Sequence, residues 1–91
     1  MKNEKGNKKD SLINPNTQKV LLNIGKRLTK LRKDKAYTSY ENFSVDKDLP
    51  RMQYWRIEKG ITDLKISSLM KVLDAHGISI EDFFAIPIDQ E

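Results

Sequence analysis

The residues of this chain best suited to chemistry lie in one stretch, Pro50 to Gly60, PRMQYWRIEKG. Wound as a helix, it places Arg51, Met52, Trp55, Arg56 and Lys59 at i, i+1, i+4, i+5 and i+8, a single stripe. Tyr54, Ile57 and Glu58 fall on the other side. Such a helix buries Ile57 and offers two arginines, a lysine, a methionine and an indole to solvent. Arginine carries parallel donors that match guanine O6 and N7, and methionine can touch a thymine methyl. Phosphates and base edges are therefore the leading ligand class. Gln53 sits at the edge of the face, and Lys59 and Lys65 flank its exit, where backbone phosphates are the natural partners. Trp55 admits three readings: packing on sugars or methyl groups, a place in a protein interface, or a core position turned toward Tyr54.

Other chemistry finds little support. The chain has no cysteine and one histidine, His76, so neither a thiolate site nor a histidine cluster can hold a metal. His76 precedes a glycine that stops a helix, where an imidazolium would favour the C-terminal dipole. No nucleophile–base pair, glycine-rich phosphate loop or paired carboxylates stand out, so neither catalysis nor a cofactor is expected. No apolar run approaches a membrane span and no signal peptide is evident, which makes a cytoplasmic location the expectation.

The 91 residues are 37% apolar and 33% charged, enough for one small core. The net charge of +4 conceals an asymmetry. Residues 1–35 carry 11 Lys and Arg against 3 Asp and Glu, whereas residues 36–91 carry 6 against 10. A basic N-terminal third binds polyanions by counterion release, or merely keeps the chain soluble.

The elements that must position the basic stripe follow in order. Residues 1–16 are lysine-rich and short of large apolar side chains, which predicts a disordered basic tail. Asn14-Pro15-Asn16 is a turn or cap signal. Residues 17–85 form the folded domain, and 86–91 a C-terminal tail. Leu21, Ile24, Leu28 and Leu31 step by 3, 4 and 3, an inward stripe on a first helix from Thr17 to about Lys35. Lys19, Lys26, Arg27, Lys30 and Lys33 lie opposite, mostly as a solvated face. Thr38-Ser39-Tyr40-Glu41 has the S/T-x-x-E form of a capping box and opens a second helix to about Asp46, with Phe43 inward. Asp48 occupies the tight turn before the third helix. Pro50 suits the first turn of that helix and Gly60 its left-handed end. Ile66, Leu69, Met70, Val72 and Leu73 mark a fourth helix, with Asp63 as a candidate cap and Gly77 as its stop. Ser79 caps a last short helix, with Asp82 at the reciprocal position. Five helices and no confident strand predict an all-α domain.

In this order, Ile57-Glu58-Lys59-Gly60 and Gly77-Ile78-Ser79-Ile80-Glu81-Asp82-Phe83 stand at nearly the right spacing to resemble the lambda-repressor-like (Xre/Cro-type) helix-turn-helix family. The likeness covers residues 24–84. It implies a five-helix DNA-binding domain whose third helix enters the major groove of double-stranded DNA. Arg51, Met52, Trp55 and Arg56 would then face base edges. Tyr40, at the first turn of the second helix, would hold a phosphate together with nearby amides, or pack over the preceding connection. Arg32 would pair with Glu58 as a structural ion pair. The family commonly acts as a homodimer, and Phe83, Phe84, Ile86 and Ile88 are the candidate dimer surface. The chain departs from the family pattern at Ser44, Lys47, Pro50 and Lys65, and its first connection is one residue longer. Those departures, with Trp55, favour a second reading of another class: a protein-interaction module, such as an antitoxin that binds a toxin and its own promoter, or a domain that has lost DNA binding.

Overall fold

Asn14 opens the structure with a side-chain cap: its Oδ1 accepts from the amides of Asn16 and Thr17 at 2.8 and 3.4 Å. A computed structural model describes residues 13–88. Most of the expected basic tail, residues 1–12, and positions 89–91 of the C-terminal tail lie outside the described residues. Among those described, the regular elements are five helices: α1 Pro15–Asp34, α2 Tyr40–Asp46, α3 Arg51–Lys59, α4 Ile66–His76 and α5 Ile80–Ala85. The fold is all-α. The first helix begins two residues before the expected Thr17, because Asn14 supplies the cap and Pro15 fits the first turn.

The connections are set by a few backbone choices. Ala36 adopts φ +69° between α1 and α2, and Asp48 φ +57° between α2 and α3. Aspartate tolerates the left-handed region moderately; alanine gives no local signal for it. The cap of α2 is Ser39, whose Oγ accepts from the Asn42 amide at 3.0 Å, so the expected Thr38–Glu41 box is displaced by one residue. Pro50 stands one position before α3, at φ −60° and ψ 118°. Gly60 and Gly77 end α3 and α4 at φ +69° and +70°. Lys65, rather than Asp63, occupies the cap position of α4 and makes no side-chain cap bond. Ser79 caps α5 through the Asp82 amide at 3.1 Å.

α1 packs along α3 and meets α5, α2 packs on α3, and α4 packs on α5. Leu21, Ile24 and Leu28 are buried as their spacing requires, and Leu31 is half-buried against the core. Phe43, Tyr54, Ile57, Leu69, Val72, Leu73 and Phe83 complete the interior. Each such side chain contributes about 1.5–3 kcal/mol relative to exposure. Phe43 lies among aromatic rings: Tyr37 edge-on at 5.1 Å, Tyr54 at 5.2 Å and His76 stacked at 4.2 Å. Ser44, where the family pattern has a small apolar residue, is fully buried and donates to the Glu41 carbonyl at 3.2 Å.

α1 approaches α3 closely. A Cβ on Gly25 would overlap the Glu58 carbonyl, coming to 2.9 Å from its carbon. Two turns further along α1, Arg32 reaches Glu58 with two bonds, Nε to Oε2 at 2.7 Å and Nη2 to Oε1 at 3.2 Å. The remaining donor, Nη1, bonds the Tyr37 carbonyl at 3.0 Å, and Thr29 donates to Glu58 Oε1 at 3.2 Å. Both side chains are nearly closed to solvent, at 9% and 5% exposure. The hydrogen bond to Glu58 holds the Arg32 guanidinium above its ordinary pKa.

His76 departs from its expected role. It is buried at 3% exposure, stacked on Phe43, with Nε2 3.5 Å from the Tyr54 hydroxyl. Burial first, and then the Lys35 ammonium, push its pKa down to about 4. A neutral imidazole cannot serve as the cation at the end of α4. Lys35 does so instead, donating its Nζ to the His76 carbonyl.

Two predictions follow from this interior. Arg32→Ala leaves Glu58 a buried carboxylate without its cation, so it is expected to cost about 3–5 kcal/mol in urea denaturation. The double variant with Glu58→Gln should lose less than the two single losses combined. The second concerns His76. Its pKa falls from 6.5 in the unfolded chain to about 4 in the folded one. The unfolded state therefore takes up a proton first as pH falls. The full contribution is present above the unfolded value and is lost as pH drops toward the folded value, by about 3 kcal/mol in total. Urea midpoints at about pH 7, 6 and 5 should decline, and His76→Phe should flatten that decline; an unchanged slope in the variant would assign it to another group.

Candidate nucleic-acid interface

The side chains that face solvent on α3 are decided by those that cannot. Tyr54 and Ile57 are buried at 1% and 3% exposure, and Glu58 is fixed on Arg32. Successive residues advance 100° around a helix, so these three define the inward side. Met52, Arg56 and Lys59 point opposite it and are exposed. Arg51 and Gln53 are also exposed but flank that face on its two sides. Arg51, at the first helical position, lies on the edge nearer Trp55. Gln53 lies on the other edge, where it lines a shallow depression with Leu49, Pro50, Ser68 and Lys71 between α3 and α4.

The exposed set contains the two arginines, the methionine and the lysine of the stripe, but not its indole. Met52 keeps 47% of its surface open, a large value for an unbranched apolar side chain with no neighbour to cover it. Neither Arg51, Arg56 nor Lys59 has a carboxylate within ion-pair distance among the described residues, where the pairs are Lys30–Asp34 and Arg32–Glu58. Their charges are therefore available to an outside anion. Lys65 is exposed at the start of α4, beyond the end of α3.

Trp55 occupies none of the extremes. It is half-buried, its ring 6.4 Å from that of Tyr40 with the planes tilted by 53°. It is neither a core residue turned toward Tyr54 nor a free indole. Tyr40 begins α2 and is likewise half-buried. The α2–α3 crossing brings these two together, and no sequence spacing announces the pairing.

The residues expected at a dimer surface divide. Phe83 is completely buried and belongs to the core, because α5 turns that ring inward against α4 and α1. Phe84 stays 41% exposed beside it, the two rings edge-to-face at 5.1 Å. Arg27 of α1 covers part of Phe84, with its guanidinium carbon 5.5 Å from the ring centroid and Nη2 3.4 Å from the Phe84 carbonyl. Ile86 and Ile88 are half-buried.

The arrangement offers a convex basic helix, not a cleft for a small molecule. Among the described residues no helix is long and apolar enough to cross a membrane. No family model matches the chain, and no solved structure matches it. The chain is similar to the "Control protein C.MunI" of Mycoplasma sp, with 33% identity over 66 residues that cover 72% of this chain and 89% of that protein. Identity at that level over most of both chains, on a helical scaffold that carries α2, a tight turn and α3 in the order the motifs require, establishes kinship. The chain belongs to the lambda-repressor-like (Xre/Cro-type) helix-turn-helix family of DNA-binding transcriptional regulators.

Proposed function

We propose that this regulator binds double-stranded DNA sequence-specifically by laying α3 in the major groove. The observation that carries the reading is the split of α3: Tyr54, Ile57 and Glu58 hold it to the domain, which leaves Met52 and Arg56 outward with Arg51 beside them. The two arginines read base edges and Met52 meets a thymine methyl. Trp55 lies at the same face, against Tyr40. Tyr40, Gln53, Lys59 and Lys65 contact phosphates and fix the register of α3 without carrying sequence information.

The chain acts as a homodimer in this reading, each copy taking one half-site about one helical turn from the other. The exposed part of Phe84, with Ile86 and Ile88, supplies apolar surface at the C-terminal end for that contact. The control protein to which the chain is similar supports a regulatory role. The alternative of a protein-interaction module, with a toxin or another regulator as partner, draws on an exposed Trp55 and on the departures at Ser44, Lys47, Pro50 and Lys65. The packing of that indole on Tyr40 weakens it.

Selection of duplexes from a randomised pool at moderate salt tests the reading. The expected result is an enriched inverted repeat with half-site centres about 10 base pairs apart. Retention without enrichment would reduce the protein to a backbone binder, and no retention by the folded chain would point to a protein partner. On the enriched duplex, Arg51→Ala and Arg56→Ala should each lose about 1–3 kcal/mol of discrimination at particular base pairs. Lys59→Ala should instead weaken binding to every duplex alike and lower the slope of log K against log salt by about 1. Equal losses on all sequences for the three variants would count against base reading by the arginines.

A further inference from the structure

The aromatic contact between α2 and α3, Tyr40 against Trp55, bears on the role of Trp55. Three facts bear on it. Trp55 is the one reading-face residue of α3 that the domain half-buries, whereas Arg51, Met52 and Arg56 are exposed. Its ring lies 6.4 Å from that of Tyr40 with the planes tilted by 53°, within the range at which aromatic rings touch. The hydroxyls of Tyr37 and Tyr54 are bonded to Asp46 and His76, while that of Tyr40 has no hydrogen-bond partner among the described residues. The third fact leaves Tyr40 with a spare donor on a ring whose position is set by a neighbour on another helix.

We infer that Trp55 is a positioning residue and not a base reader: its indole braces the Tyr40 ring so that the phenol hydroxyl is held at one height beside α3, where it donates to a backbone phosphate. The inference rests on the DNA-binding reading above and adds the division of labour within it. Tyrosine has two side-chain torsions, so an unbraced ring would sweep its hydroxyl over several ångströms. A ring packed against an indole from α3 has fewer positions open to it, because each of the two side chains blocks rotation of the other. The phosphate contact of α2 is thereby tied to the depth at which α3 sits in the groove. This arrangement gives Trp55 influence over affinity on every sequence and over preference on none. Direct reading would give the reverse, a loss confined to one base pair. Indole has a single donor, Nε1, and no acceptor, so it lacks the paired groups that make a base contact discriminating.

A binding cycle on the full chain separates the two. The probes are the duplex recovered by the selection experiment, single-base-pair variants of it, and an unrelated duplex of equal length. Tyr40→Phe retains the ring and removes the donor; loss of one hydrogen bond to a charged group is expected to weaken binding about tenfold on all of these probes. Trp55→Ala should weaken binding by a similar factor, again on all probes. Once Tyr40 is phenylalanine, Trp55→Ala should cost no more than about twofold, because a ring without a hydroxyl has no donor to place. Trp55→Phe, which keeps an aromatic brace, should recover most of the loss, and it carries the test if the alanine variant does not fold. Losses that multiply in the double variant, or a Trp55 effect that varies with the base pair presented, would overturn the assignment and leave the DNA-binding reading intact. Failure of the unmodified chain to bind any duplex would overturn both.

Discussion

The structure depends most on how closely α3 can approach α1. At Gly25 the two helices meet with no side chain between them, and the Glu58 carbonyl occupies the space a Cβ would need. At the end of α3 Gly60 repeats the device, since a Cβ there would come within 3.0 Å of Leu22. That approach brings the Glu58 carboxylate within reach of Arg32 and Thr29. Taking two charges out of water is costly, and a well-packed apolar pair would often serve stability as well. What the ion pair adds is geometry. A guanidinium fork donates to a carboxylate in one plane and at one distance, so it fixes the rotation of α3 about its own axis. Every side chain offered to a partner inherits its direction from that rotation. A shift of α3 by one residue would turn Arg56 by 100° and bring Ile57 toward the solvent side.

A second group of contacts ties α4 to this pair. Phe43 from α2 is enclosed by Tyr37, Tyr54 and His76, which come from the connection after α1, from α3 and from α4. The ring that α4 contributes is neutral, because its burial outweighs the pull of the Glu58 carboxylate toward the protonated form. Burial ensures that, and Lys35 supplies the positive charge for the α4 C-terminus from outside the core. Two tasks that one histidine could share are thus split between two residues, each in the environment its charge state needs. The same Lys35 charge then helps to keep His76 unprotonated.

Much of this was legible in the amino-acid sequence, and the limits have physical causes. The stripe Leu21, Ile24, Leu28, the glycines at 60 and 77 and the serine before α5 are local signals, and each marks the element it was expected to mark. The inward set of α3 was equally readable, because burial of Ile57 fixes the rest by periodicity. Contacts between elements were not. Periodicity names a face but not the neighbour against it, so the burial of His76 and Phe83 and the pairing of Trp55 with Tyr40 had no one-dimensional trace. The left-handed Ala36 was invisible for a different reason: alanine has no preference for that conformation, and the chain adopts it because α1 and α2 leave no other path. The cap of α2 slipped by one residue between two hydroxyls, Thr38 and Ser39, that differ little as caps.

The helix proposed to read DNA is not self-sufficient. α3 has nine residues, and Pro50 gives it no side-chain cap. α1, α2 and α5 each have a cap of Asn or Ser. Helices this short are marginal in water even with good caps, so α3 owes its existence to tertiary packing. Tyr54, Ile57 and the buried Glu58 supply that packing from one side, and Gly60 ends the helix where α1 leaves no room for more. The outward side is thereby released from any structural duty. Arg51, Met52, Arg56 and Lys59 contribute almost nothing to folding, because they touch little of the domain. They can therefore change without loss of the scaffold, and on the proposed reading a change there alters what the helix reads while the Arg32–Glu58 pair keeps it in place. Trp55 is the exception on that face, since it is packed on Tyr40 and a substitution there reaches back into the domain.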